Sequence, residues 1–191
     1  VERALLASGF GPDSMNLGGL VFGLASGVLI ASGRLEAGGW AIALSGVCDI
    51  LDGRLARARG VASAYGKFVD STLDRFVEVF ALLGCVFFLR AFQWGPLVAA
   101  AAMAGSLLVS YTRARGESVG VLCKEGLMQR AERLVLMALA CLGDAAATEA
   151  LGRSRGEAVL AALALIAVWT LATAAHRTLW ISARLKERDG R

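Results

Sequence analysis

Three stretches of this chain run for about the thickness of a bilayer without a charged residue: Ser14 to Gly33, Ala91 to Thr112 and Ala158 to His176. A helix needs roughly 20 apolar residues to cross the hydrocarbon core. Three shorter apolar stretches lie between them, Ala37 to Cys48, Val79 to Leu89 and Leu134 to Gly143. Extended through their charged neighbours, these reach spanning length at about 36–59, 66–90 and 128–146. Charged residues inside a spanning helix are costly, and they mark function more often than accident. The expected fold is therefore an all-α polytopic membrane protein of six transmembrane helices, forming one domain over residues 1–191, with a polar active site at the cytoplasmic end. Composition agrees. The chain is 57% hydrophobic with a mean hydropathy of +0.61, more apolar than an average soluble domain. Its 23 glycines suit close helix approach in a membrane bundle.

The cations choose an orientation. With six spans, sixteen Lys and Arg residues fall on the side of the two termini, from Arg3 through Arg54, Arg113, Arg130 and Arg177 to Arg191. Only Arg34, Arg90, Arg153 and Arg155, four in all, fall on the other. The positive-inside bias puts both termini in the cytoplasm and the protein in the cell's inner membrane. A net charge of +4 distributed in this way indicates no nucleic-acid partner. Residues 1–13 read as a short interfacial segment, with the Gly11-Pro12-Asp13-Ser14 turn opening the first helix and Asp13 or Ser14 as its cap. The chain starts at Val1, not Met, so a few residues are expected to precede it; no signal peptide is evident. Cys48, Cys85, Cys123 and Cys141 form no close pair and read as small reduced hydrophobes. His176 is the only histidine, which disfavours zinc. Trp40, Trp94, Trp169 and Trp180 read as anchors near the membrane interfaces.

The chemistry lies where two polar helix ends meet. Asp49, Asp52 and Gly53 are spaced i, i+3 and i+4, with Ala56 at i+7, and so share one helical face. Asp70 and Asp74, at i and i+4, share a face of the next helix. Residues 58–65 suffice for a short connection between antiparallel neighbours, which would bring the two acidic faces together. Bare carboxylates at close range repel, and some would have to protonate. A divalent cation removes the conflict, and oxygen ligands without His or Cys suit Mg²⁺, Mn²⁺ or Ca²⁺. Mg²⁺ commonly shares its coordination with substrate phosphates. Gly53 and Ala56 leave an open surface beside the acids, and Arg57 can donate two parallel hydrogen bonds to a phosphate. Solvated helix ends, or a structural ion network with nearby arginines, are the plainer readings. Four acids within 26 residues at two helical spacings beside apolar spans argue against both.

The string Asp-x2-Asp-Gly-x2-Ala-Arg-x8-Gly-x3-Asp-x3-Asp, complete from Asp49 to Asp74, resembles the signature of the CDP-alcohol phosphotransferase family. The likeness extends to six spans and, with a departure, to a Pro-Asn lead into the first helix. Here the lead reads Pro12-Asp13, with Asn16 three residues on. The resemblance implies transfer of a phosphatidyl group from CDP-diacylglycerol to an alcohol with release of CMP, in a homodimer that takes its lipid from the inner leaflet. It implies that Asp49, Asp52, Asp70 and Asp74 hold Mg²⁺ (Mn²⁺ as the alternative), two ions in the site. Asp74 doubles as the catalytic base. Asp49, Asp52, Gly53, Ala56, Arg57 and Gly66 meet the CDP-lipid, and Gly66 also allows close packing where the third helix begins.

The acceptor is read from a second basic cluster at the same level. Ser110-Tyr111-Thr112-Arg113-Ala114-Arg115 ends the fourth span, Gln129-Arg130-Ala131-Glu132-Arg133 opens the fifth, and Ala175-His176-Arg177 lies late in the sixth. Converging arginines suit an anionic, phosphorylated acceptor. The first two stretches resemble the bacterial branch of the family that uses inositol phosphate, which implies that Arg113, Arg133 and Arg177 grip the acceptor phosphate; the branch usually carries Lys where Arg113 stands. Glycerol 3-phosphate, as in phosphatidylglycerophosphate synthesis, is the nearest rival acceptor. An intramembrane prenyltransferase would show adjacent Asp-Asp pairs on a longer chain. A cation transporter would explain the acids, but not Gly53, Ala56 and Arg57 beside them.

Overall fold

Runs of Leu, Ala, Val and Met form good helix, and proline appears only at Pro12 and Pro96, each in the first turn of a helix where its missing N–H costs nothing. The computed structural model describes residues 11–60, 63–123, 126, 128–152 and 154–190, with Pro12 and Asp13 described by their backbone alone. Among these residues the chain forms six long helices and no strand: α1 Pro12–Ala31, α2 Leu35–Ala58, α3 Ala64–Phe88, α4 Gly95–Ser118, α5 Arg130–Leu151 and α6 Glu157–Arg188. Residues 1–10 of the expected interfacial segment lie outside the described residues.

The helix ends depart from the expected ones because hydropathy stops at a charge and backbone hydrogen bonding does not. The cap of α1 is Gly11, with no side-chain cap bond, rather than Asp13 or Ser14. Pro12 at the first helical position makes that earlier start favourable. Ser63 caps α3, its Oγ accepting from Gly66 N at 3.1 Å. A capping box between Gln129 and Glu132 starts α5. The last helix runs 32 residues, about 48 Å at 1.5 Å per residue, well beyond its uncharged stretch.

Four helices, α1, α4, α5 and α6, are long and apolar enough to cross a membrane. The other two are as long but carry the acids and cations of the polar cluster. Helix contacts close a ring in the order α1, α2, α5, α6, α4, α3 and back to α1. The sequential pair α2 and α3 barely touches, so the expected packing of these two as direct neighbours does not occur: α1 packs heavily against both. Small residues explain how α1 fits there. A Cβ on Gly27 would strike the Phe80 carbonyl of α3, and one on Gly23 would lie 2.5 Å from the Val77 side chain. Across the bundle, the same close approach sets Gly105 of α4 against Thr170 of α6. The core lies between the inward faces, with Ile30, Ile42, Leu82, Leu134, Leu163 and Ile166 almost fully buried.

The alternating helices give the bundle two polar ends. At one, Arg155 donates to Gly33 O at 2.9 Å, and the buried Asp144 carboxylate accepts from Gly156 N at 2.9 and 3.0 Å, tying the start of α6 to the end of α5. At the other end are all the residues singled out as candidates for chemistry.

Candidate active site

The last three turns of α2 present Asp49 and Asp52, and the first three turns of α3 present Asp70 and Asp74. Asp49, Asp52 and Asp74 line a cleft with Asn16, Gly19 and Leu20 of α1, Ser45 of α2, Leu73 and Val77 of α3, and Arg130 of α5. The close seating of α1 is local and specific: Ser45 Oγ donates to Gly19 O at 2.8 Å, and a Cβ on Gly19 would sit 3.4 Å from Cys48 Cβ. Helix α1 thus holds the two acidic helices at a fixed separation although they hardly touch one another.

One carboxylate oxygen from each of Asp49, Asp70 and Asp74 lies within 4.8 Å of the other two. Asp49 and Asp70 lie within electrostatic reach of each other. Asp52 is buried to 6% exposure at the base of the cleft, within electrostatic reach of Asp49 and Asp70, but outside that triad. The donor set fits a divalent ion: three half-buried, hard oxygen ligands from two helices, with neither His nor Cys among them. Such an ion supplies charge neutralisation to phosphate groups bound beside it.

One cation enters the cluster. The Arg130 guanidinium at the start of α5 bridges two of the acids, Nη1 to Asp49 Oδ2 at 3.1 Å and Nη2 to Asp74 Oδ1 at 2.6 Å. Its Nε is buried without a hydrogen-bond partner. The space left in the cleft is about 10 Å³, room for one water-sized sphere.

The other residues expected to meet the CDP-lipid follow on the last turns of α2 and the first turn of α3. Arg57 is exposed and folds over Gly53, where a Cβ would meet Nη1 at 3.4 Å. Ala56 is half-buried one turn on. Gly66 does not pack against another helix: a Cβ there would meet only Ser63 Oγ, at 3.5 Å. Its value to the fold is the N–H it gives the cap, and its surface is open.

The three arginines expected to hold the acceptor phosphate have different settings. Arg113 is exposed, with Nε 3.1 Å from Glu117 Oε1 on its own helix. Arg177 is buried, and Nη1 donates to Val109 O at 3.0 Å. Arg133, 2% exposed, is gripped in a fork by Glu78, Nε to Oε1 at 2.6 Å and Nη2 to Oε2 at 3.1 Å, while Nη1 donates to Met128 O at 2.6 Å. Arg113 and Arg133 lie within electrostatic reach of Arg177. The Arg133 donors are committed to this buried pair, and its neighbour three residues earlier is the one that reaches the carboxylates.

Sequence reasoning passed over Arg130 and Glu78 as site residues. Glu78 is also 2% exposed, and Arg75 approaches it at 3.6 Å while hydrogen-bonding Ser110 of α4. A signal was present, since Glu78 is a charge in a helix long enough to span and sits one turn beyond Asp74. A larger groove of about 280 Å³ lies at the opposite end, lined by Ala147, Thr148, Leu151 and their neighbours on α6, and holds none of the signature residues.

Comparison with known proteins decides the family. The sequence profile described as CDP-alcohol phosphatidyltransferase matches residues 12–183. The chain belongs to the CDP-alcohol phosphatidyltransferase family. Among relatives in that family, an archaetidylinositol phosphate synthase of Methanothermobacter thermautotrophicus is 38% identical over 125 residues, 65% of this chain and 63% of that protein. A phosphatidylinositol phosphate synthase of Mycobacteroides abscessus is 38% identical over 146 residues, 72% of this chain and 64% of that protein. The matches thus span just under two thirds of these relatives' length. Crystal structures of the Mycobacterium tuberculosis phosphatidylinositol phosphate synthase resemble the chain at 25% identity over 94% of its length. The form with CDP-DAG bound gives a TM-score of 0.80 over 90% of that chain, and the complex with manganese and citrate gives 0.81 over 86%.

Proposed function

We propose that this phosphatidyltransferase-family chain moves a phosphatidyl group from CDP-diacylglycerol to inositol phosphate and releases CMP. The observation that carries the reading is the convergence of Asp49, Asp70 and Asp74 in one cluster from two helices, the first of which also carries the exposed Arg57. The names of the two relatives support the acceptor: they differ in the lipid and share inositol phosphate. The solved structures with CDP-DAG and with manganese support the donor and the metal.

In this reading Asp49, Asp52, Asp70 and Asp74 hold Mg²⁺ or Mn²⁺, two ions in all, which neutralise the donor diphosphate. Gly53 and Ala56 give the cytidine side a flat surface, and Arg57 binds a phosphate. The acceptor hydroxyl oxygen forms a bond to the lipid-side phosphorus, and the bond from that phosphorus to the bridging oxygen breaks. CMP leaves with the electron pair, and Asp74 takes the hydroxyl proton. The phosphodiester lipid stays in the membrane. Arg113 and Arg177 supply positive charge for the acceptor phosphate, while Arg133 contributes its field from the Glu78 pair. All six helices span the bilayer in a homodimer, with the site and both termini cytoplasmic.

The test is CMP release by purified protein from CDP-diacylglycerol, with inositol phosphate, inositol, glycerol 3-phosphate and serine as acceptors. Metal-dependent release with inositol phosphate strongly preferred is expected. The Asp74→Asn variant should bind CDP-diacylglycerol while turnover falls by at least about 10²-fold, in the range of a lost acid–base group. Preference for an uncharged alcohol would overturn the acceptor assignment, and normal turnover by Asp74→Asn would overturn the base.

A further inference from the structure

We infer that Arg130 is a built-in stand-in for the metal, a guanidinium that holds the carboxylates together until a divalent ion displaces it. The inference rests on the metal reading of the cleft. Three carboxylates within 4.8 Å cannot stay together ionised without a cation. Among the described residues, Arg130 is the cation that bridges them, reaching Asp49 on α2 and Asp74 on α3 at once. Arg75 stands farther off, 3.9 Å from Asp74, and is drawn toward Glu78.

The geometry makes the two cations rivals. A divalent ion binds carboxylate oxygen at about 2.0–2.6 Å. An ion among these three acids would lie beside a guanidinium that donates to two of the same residues. Space is equally short, at about 10 Å³ with Arg130 in the cleft wall. Arg130 Nε, buried without a partner, shows the price of the bridging pose: the side chain gives up a hydrogen bond to place both Nη groups on the acids. Release is also mechanically simple. Arg130 is the first residue of α5, and the capping box of Gln129 and Glu132 and the fork between Arg133 and Glu78 fix the helix start without it.

Two populations follow, bridged and open. Only the open one takes the ion at full strength, so the apparent metal affinity is the intrinsic affinity reduced by the open fraction. Removing the guanidinium should therefore tighten metal binding. A residue that merely shapes the site would weaken binding when lost, or leave it unchanged.

The experiment titrates Mn²⁺ calorimetrically into purified wild type, Arg130→Gln and Arg130→Lys, and records the melting temperature of each with and without the ion. Arg130→Gln should bind Mn²⁺ about tenfold or more tightly than wild type, and Arg130→Lys, which keeps the charge without the fork, should fall between. Without metal, Arg130→Gln should melt below wild type, and saturating Mn²⁺ should close the gap. Equal or weaker Mn²⁺ binding by Arg130→Gln, or a deficit that persists under saturating ion, overturns the inference while the metal site stands. Absence of Mn²⁺ binding in all three proteins overturns the metal reading itself, and the inference with it.

Discussion

Glu78 shows how a single buried side chain sets the division of labour among the arginines around it. It takes both the Nε and Nη2 of Arg133 at the first turns of α5 and draws Arg75 from its own helix. The pair also anchors Met128, whose backbone stands at φ 61°, a left-handed conformation uncommon outside glycine, with its carbonyl turned to Arg133 Nη1. With both partners 2% exposed, breaking the pair strands a buried charge, which typically costs 3–5 kcal/mol. Glu78→Gln should thus lower the unfolding midpoint clearly in a detergent melt. The double change Glu78→Met with Arg133→Met should recover most of the loss, because neither member of the buried pair is then left alone and Arg75 keeps Asp74 and Ser110. If the double variant is as unstable as the single one, the pair is not the source. Residue identities in the acidic cluster were legible from spacing, since i, i+3 and i+4 place acids on a face whatever the surroundings. The choice between Arg130 and Arg133 was not. The two lie three residues apart on one helix, and which reaches the acids depends on how Glu78, some fifty residues earlier, rotates α5.

At the level of helices, α1 carries no charged ligand and still determines whether there is a site. It fills the gap between α2 and α3 through a glycine face, with Gly27 set against the Phe80 carbonyl and the Gly84 backbone. A backbone atom cannot turn aside as a side chain can. Gly27→Val should force α1 away from α3, with a cost at the upper end of the ~1–3 kcal/mol typical of overpacking, read as a lowered melting temperature. Gly46→Val on α2, where a Cβ meets nothing within 4 Å, is the matched control and should be near neutral. Equal losses from both would remove the packing argument. The existence and order of the six helices could be read from the chain because apolar runs, extended through their charged neighbours, mark helices; four of the six are apolar enough to cross a membrane. Their neighbours could not, since the short connection between Ala58 and Ala64 permits α2 and α3 to pack together and says nothing about a third helix inserted between them.

Across the whole molecule, every acid and arginine of the candidate site gathers at one end of the ring, while Arg155, Asp144 and the Gly156 turn secure the other. This polarity matches the uneven count of cations along the chain, from which the site end is expected to be the cytoplasmic one. If the site end faces the cytoplasm, a reporter active only outside the cell should be silent when fused after residue 188 and active when inserted at 154–155. The reverse pattern would invert the membrane orientation and place the carboxylates on the outer side.

The bridging guanidinium comes from the fifth helix, whereas its two acidic partners belong to the second and third. A ribosome therefore delivers the acids long before their counter-charge. A nascent chain halted ahead of residue 130 would present the carboxylates with nothing from α5 to pin them together. The arginine that closes the cleft thus comes from a helix made after those that supply its other lining residues.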